Sequence, residues 1–185
     1  IVVESENCLK LSQNVSYEMG ALTDPISVAL HAVRKVRMEA GKSAAVFGLG
    51  AIGYLCVQWL RELGCTRVIA VDVADEKLRL AKELGATDGI NGMKVDAVKA
   101  VKDLTGGEGV DIAIEFAGNK ITHVQAVEAC KKNGEVVYGG ITYDDVAFPN
   151  KAIAAILRGE LTIHGSWNSS INPLPINEWM SGLEY

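Results

Sequence analysis

Three glycines and one aspartate carry the chemistry most visible in this sequence. Gly48-Leu49-Gly50-Ala51-Ile52-Gly53 follows an apolar run at 43–47 and precedes a segment with helical spacing of apolar residues. Alone, Gly-x-Gly-x-x-Gly is a weak signal; between a strand and a helix it gains a mechanism. Gly48 allows a tight turn, Gly50 lets the backbone approach a pyrophosphate, and Gly53 lets the helix lie close on the strand. The amides at the helix start, Ala51 and Ile52 among them, would face the phosphates, where the positive end of the helix dipole favours negative charge. Asp72 ends the next apolar run, Val68-Ile69-Ala70-Val71, 19 residues after Gly53. A carboxylate there can accept both hydroxyls of an adenosine ribose. Val73, which joins the cofactor-binding set, and Ala74 follow it, with no arginine to meet a 2′-phosphate, so the pattern favours NAD over NADP. Lys77, one turn into the next helix, either reaches the same ribose or belongs to a solvated face. Two competing readings stay open. One is a structural turn with Asp72 capping the next helix; the other is a methyltransferase, which places glycines and an acid in the same way.

Glu115-Phe116-Ala117-Gly118 closes a fourth apolar run, and Gly139-Gly140-Ile141 closes a fifth. In a doubly wound sheet the ligand crevice lies at the carboxyl ends of the strands, where the strand order reverses. Gly118, Gly139 and Gly140, with Ala117 and Ile141 beside them, would keep that crevice open for a nicotinamide, or else serve ordinary turns. A group that polarises a substrate oxygen and takes its proton is harder to find. His31, His123 and His164 form no His-x-x-x-His pair and read as structural. Cys56 sits among Leu55, Val57 and Trp59 and reads as a packing residue. Tyr17 and Tyr54 lack a lysine four positions on, where Ala21 and Gln58 stand.

The elements that must position these residues alternate. Strands are predicted at 43–47, 67–71, 87–90, 110–116, 135–138 and 161–164, and helices at 51–63, 75–84, 94–104, 122–130 and 151–157. Asn133-Gly134 is expected to stop the helix that ends at residue 130. This alternation implies an α/β fold: a doubly wound parallel sheet of the Rossmann type, strand order 3-2-1-4-5-6, with helices on both faces. Residues 41–170 are the expected dinucleotide-binding domain. Residues 1–40 read as a lead-in from another domain. It comprises the end of a strand at 1–3, a turn at 5–7, a short helix at 15–22, and a second helix with Asp24 as N-cap and Pro25 at its first position. Residues 171–185 read as a truncated C-terminal extension, where the stripe Ile176, Trp179, Met180 and Leu183 breaks off at Tyr185. Both ends fall inside elements, so a piece of a longer protein is expected.

Composition narrows the classes. The chain has 185 residues, 49% hydrophobic and 22% charged, which is too apolar for a disordered segment. A net charge of -5 disfavours a nucleic-acid partner. Cys8, Cys56, Cys65 and Cys130 form no Cys-x-x-Cys pair, which argues against a disulfide framework and suits a reducing, cytoplasmic location. The uncharged stretch 43–60 is just long enough for a bilayer. Its three glycines and Gln58 fit strand, turn and helix better, so no membrane partner is expected.

These residues resemble a known family. Asp24-Pro25-Ile26-Ser27-Val28-Ala29-Leu30-His31-Ala32 is similar to the Glu-Pro-Leu-Ser-Val-x-Leu-His-Ala segment of sorbitol-type zinc alcohol dehydrogenases. The glycine turn, Asp75-Glu76-Lys77-Leu78, Leu84-Gly85-Ala86 and Gly109-Val110-Asp111 follow in that family's order. Ile156-Leu157-Arg158-Gly159-Glu160-Leu161-Thr162-Ile163-His164-Gly165-Ser166-Trp167 is similar to the galactitol-1-phosphate 5-dehydrogenase branch. The resemblance covers nearly the whole chain. It implies the cofactor domain of a medium-chain, NAD- and zinc-dependent dehydrogenase of polyols or polyol phosphates, inactive alone and a homo-oligomer when complete. It implies adenosine-side contacts at Ile52, Asp72 and Lys77, and nicotinamide-side contacts at Gly139-Gly140-Ile141 and Gly165-Ser166-Trp167. The zinc ligands belong to a preceding domain. Asp24 matches a glutamate near that zinc but is one methylene shorter, which makes it a metal candidate beside its capping reading. A non-enzymatic NAD-binding redox sensor and a zinc-free quinone reductase are the alternatives.

Overall fold

The computed structural model describes residues 2, 8, 10–170 and 178–184. The expected turn at 5–7, most of the strand at 1–3, Ile176 and Tyr185 lie outside the described residues. Six strands form one sheet: β1 Ser43–Phe47, β2 Arg67–Asp72, β3 Asp88–Asn91, β4 Val110–Glu115, β5 Cys130–Tyr138 and β6 Thr162–Gly165. Their order is β3-β2-β1-β4-β5-β6, and every neighbouring pair is parallel, as the alternation of elements implied. The helices are α1 Tyr17–Gly20, α2 Thr23–Val33, α3 Ala51–Glu62, α4 Asp75–Glu83, α5 Ala97–Leu104, α6 Lys120–Ala129, α7 Asn150–Gly159 and α8 Glu178–Glu184. Among the described residues no helix is long and apolar enough to cross a membrane.

The strands bury both faces, which is why they read as continuous apolar runs. Ala44, Val46, Val68, Ala70, Ile112 and Ile114 share one core with residues of α2, α3 and α4. Ala45, Phe47, Ile69, Val71 and Ala113 share the other with residues of α5, α6 and α7. Phe47 is level with Val71 on one side and with Glu115 on the other, so β1 and β4 end together and β2 runs one residue further, to Asp72. β1 is where the connectivity reverses, and a crevice outside its carboxyl end follows from that topology.

Two local expectations are corrected. Asp24 is not an N-cap: α2 begins at Thr23, and Leu22 is its cap residue. The chain leaves α1 in helical geometry at Ala21 and Leu22, so the second helix starts earlier. The Thr23 hydroxyl donates to Gly20 O at 2.7 Å across the joint. Pro25 therefore stands third in the helix, where its missing N–H still costs nothing. Asn133-Gly134 does not stop α6 either. The helix ends at Ala129, and Cys130 is already extended and paired with Val110. Ile112 then pairs with Glu135, so residues 131–134 bulge from β5, with Asn133 in the left-handed conformation at φ 57°. Asn tolerates that conformation better than most residues.

Candidate dinucleotide-binding site

The three turn glycines are needed for different reasons. Gly48 has φ +93°, and a Cβ there would overlap the backbone of Ala117. A Cβ at Gly53 would overlap the carbonyl of Gly48. Both are demanded by the chain itself. Gly50 is not: its φ is -83°, and a Cβ would meet nothing within 4 Å. The space above its bare backbone is open. Gly50 is also the N-cap of the twelve-residue α3 and offers no side-chain cap. Exposed Ala51 follows, so the helix presents first-turn amides without intrahelical partners.

Asp72 closes this cradle. Leu49 N donates to its Oδ2 at 2.8 Å, while Val73 N and Ala74 N donate to Oδ1 at 2.8 and 3.1 Å. Lys77 Nζ stands 3.6 Å from Oδ2, and the Asp72 side chain is only 6% exposed. The carboxylate thus clamps the glycine turn to the end of β2. Each oxygen has two lone pairs, and Oδ2 retains room for a ligand hydroxyl. Exposed Val73 lies beside it. Tyr54 OH donates to Lys77 O at 3.3 Å and completes the rim. Its phenol is held above the ordinary value by desolvation and, secondarily, by Asp72.

Across the switch point, the loops after β4 and β5 meet through glycine backbone. Gly118 has φ +63°, and a Cβ would overlap Ile141 O. Gly139 N and Gly140 N donate to Glu115 O at 3.0 and 2.9 Å. A Cβ at Gly140 would lie 2.5 Å from Gly118 N and 2.6 Å from Glu115 Oε2. Gly165 faces open space, Ser166 is buried with its N donating to Tyr138 O at 2.8 Å, and Trp167 is exposed. Among the described residues, two buried side-chain atoms have no hydrogen-bond partner: Glu115 Oε2 and Ser166 Oγ. They sit at the ends of β4 and β6, on either side of Gly139-Gly140. Unmet polar capacity gathered at one end of the sheet, above an open glycine backbone, fits a long polar ligand. Sequence reasoning named Ser166 but gave Glu115 no role. Its signal was a carboxylate closing the apolar run at 110–116, since buried charge needs a compensating partner.

Residues 51–183 match the family model described as zinc-binding dehydrogenase. The chain belongs to the zinc-binding dehydrogenase family. Galactitol 1-phosphate 5-dehydrogenase of Escherichia coli (strain K12) is 33% identical over 97% of this chain and 52% of its own length. Probable D-xylulose reductase A of Aspergillus clavatus is 35% identical over 86% of this chain and 45% of its own. The chain therefore spans about half the length of the curated relatives it matches. The crystal structure of galactitol-1-phosphate dehydrogenase from Escherichia coli superposes with a TM-score of 0.90 at 33% identity, covering 100% of this chain and 53% of that one. A zinc-binding dehydrogenase from Sinorhizobium meliloti 1021, solved with NADP, gives 0.84 at 30% identity, covering 95% and 50%.

For a zinc-binding dehydrogenase, the described residues contain no group of three His, Cys, Asp or Glu side chains placed to hold a metal. Cys56, Cys65 and Cys130 are buried, and desolvation pushes their thiols up, Cys65 to about 11 and Cys130 to about 12. A zinc ligand needs the opposite, a stabilised thiolate. Each histidine has a partner within the chain: His31 Nδ1 with Glu178 at 2.9 Å, His123 Nδ1 with Asn119 O at 2.9 Å, and His164 Nε2 with Glu135 at 3.0 Å. Asp24 is exposed in the first turn of α2. These residues do not fit a zinc site by themselves. An open cleft lined by Ser43, Thr66, Arg67, Thr105 and Lys131 lies at the opposite, amino-terminal edge of the sheet.

Proposed function

We propose that this chain is the NAD-binding unit of an NAD- and zinc-dependent dehydrogenase that moves hydride between nicotinamide and a polyol or polyol phosphate. The open backbone of Gly50, held between Gly48 and the Leu49–Asp72 clamp, carries the reading. Gly48, Gly50, Ala51, Ile52 and Gly53 form the pyrophosphate cradle. Asp72, Val73 and Lys77 take the adenosine. Ala117, Gly118, Gly139, Gly140, Ile141, Gly165, Ser166 and Trp167 flank the nicotinamide.

Asp72 argues for NAD. Charge-assisted hydrogen bonds to a free ribose contribute on the order of 1.5–3 kcal/mol each. A 2′-phosphate would face the carboxylate, and at about 4 Å with an effective dielectric near 20 each unit of charge repels by roughly 4 kcal/mol before screening. Lys77 offsets part of this, yet Val73-Ala74 supplies no arginine. The Sinorhizobium meliloti relative was solved with NADP, so the choice is a property of individual residues to be tested.

Bound zinc would polarise the substrate alcohol and lower its pKa. Its ligands are assigned to the part of the protein outside these 185 residues, with Asp24 a candidate neighbour. On this reading residues 1–40 lead in from that part, 41–170 bind the cofactor and 171–185 begin an extension. The whole would be a cytoplasmic homo-oligomer with no nucleic-acid or membrane partner, and the chain alone would turn nothing over. The names of the two relatives, a galactitol 1-phosphate 5-dehydrogenase and a D-xylulose reductase, support the polyol class. The test is NAD reduction by the full-length protein with a panel of polyols, polyol phosphates and simple alcohols. Faster turnover of galactitol 1-phosphate or a related polyol than of ethanol or butanol is expected. The reverse preference would overturn the substrate class.

A further inference from the structure

Glu115 is a fully buried carboxylate at the end of β4 that the dinucleotide reading leaves without a role. Its Oε1 accepts from Gly118 N at 2.9 Å and Thr122 Oγ1 at 2.8 Å. Its Oε2 has His123 Nδ1 at 3.4 Å and accepts no hydrogen bond from the described residues. His123 Nδ1 also stands 2.9 Å from the carbonyl of Asn119, which only accepts, so Nδ1 carries a proton. The His123 ring stacks on Tyr138 at 4.8 Å, and Tyr138 OH donates to His123 O at 2.7 Å, so the imidazole cannot easily turn away. Glu115's own carbonyl accepts from Gly139 N and Gly140 N. This one residue therefore touches the loop after β4, the loop after β5 and the start of α6. A buried charge is a poor way to gain stability compared with a well-packed apolar side chain. Its presence calls for another reason.

We propose that Glu115 is a positioning residue for the nicotinamide half of the bound dinucleotide: its carboxylate sets the separation of Gly118 and Gly140, and so the backbone against which the nicotinamide lies. This rests on the dinucleotide reading above. On that reading the adenosine half is held by the turn after β1, by α3 and by the end of β2, and the polar contacts of the Glu115 side chain go instead to Gly118, Thr122 and His123. Disturbing Glu115 should therefore split the affinities for the two halves of the ligand.

Glu115→Gln keeps the shape and removes the match. With its oxygen toward Gly118 and Thr122, the new NH2 faces the His123 Nδ1–H, donor against donor. Turned round, it leaves Gly118 N without an acceptor. The experiment is calorimetric titration of the 185-residue chain and this variant with ADP-ribose and with NAD, alongside thermal melts. The ADP-ribose Kd should stay within about two-fold, while the NAD Kd rises about ten-fold. An equal loss for both ligands, or no loss for NAD, would overturn the assignment. If Glu115→Gln does not fold, Thr122→Val removes one of the two bonds to Oε1, and the same split at about three-fold is expected; its absence overturns the assignment equally. Failure of the unsubstituted chain to bind either ligand would instead overturn the dinucleotide reading, and the assignment with it.

Discussion

Leu49 N donates to Asp72 Oδ2 at 2.8 Å, joining the second residue of the glycine turn to the acid that ends β2. The two lie 23 residues apart and meet because β1 and β2 are parallel neighbours in register. The acid thus shapes the turn in the absence of ligand, so on the proposed reading a ribose would bind with less reorganisation. Asp72→Asn breaks this, because its NH2 must face either Leu49 N or the paired amides of Val73 and Ala74. A loss of about ten-fold or more in NAD affinity and a lower melting temperature are expected, since bonds to a charged acceptor are worth about 1.5–3 kcal/mol. Calorimetry and a thermal melt check both; an unchanged Kd would count against the ribose role.

Gly50→Ala and Gly48→Ala should part stability from binding. Gly48 has positive φ and no room for a Cβ, so its substitution should destabilise the fold by on the order of 1–3 kcal/mol. At Gly50 the methyl enters open space. The melt of Gly50→Ala should match that of the unsubstituted chain while NAD affinity falls. If Gly50→Ala binds NAD normally, the pyrophosphate does not sit there.

The strand order, the glycine turn and Asp72 were legible because each follows from local pattern: buried strands as apolar runs, a turn between strand and helix, an acid at a strand end. What the pattern hid was longer-range. Glu115 reads as one residue closing a strand until the fold brings Gly118, Thr122, His123 and Gly140 around it. Asp24-Pro25 carries the signature of a helix start, but the preceding Ala21 and Leu22 remain helical and take over the cap. Asn133-Gly134 signals a turn correctly; that the turn lies within β5 depends on Cys130 pairing with Val110, a contact between residues 20 apart.

Asp111 ties the starts of β1 and β4 together and gives a pH signature. Burial acts to raise its pKa, but hydrogen bonds from Lys131 and from Ser43 N and Oγ outweigh it and hold the carboxyl below its ordinary value. A depressed folded pKa gives stability that is present above the unfolded value of about 3.9 and is lost as pH falls through the folded one. Asp111→Asn should therefore cost about 1–3 kcal/mol near neutral pH. Urea unfolding of both proteins from neutral pH downward should show the gap narrowing below about pH 4. A gap that persists in strong acid would show that the ionised carboxylate is not its source.

Thiol labelling offers an independent check of the core. Cys56, Cys65 and Cys130 are buried with raised pKa values, so at mildly alkaline pH they remain protonated thiols and poor nucleophiles. Cys8 is exposed. Native iodoacetamide treatment followed by mass spectrometry should find modification at Cys8, with the other three reacting only after denaturation. Fast native labelling of Cys65 or Cys130 would mean that the strand ends open more readily than this packing allows.

On the proposed reading, NAD lies across the carboxyl ends of the strands. An amide NMR titration of the labelled 185-residue chain, run in parallel with NAD and NADP, tests it most directly. NAD should saturate at the lower concentration, and the largest shifts should fall at residues 48–53, 72–73, 117–118 and 139–141. Equal or tighter binding of NADP would contradict the role given to Asp72, and shifts confined to the cleft around Ser43, Arg67 and Lys131, or no shifts at all, would contradict the site.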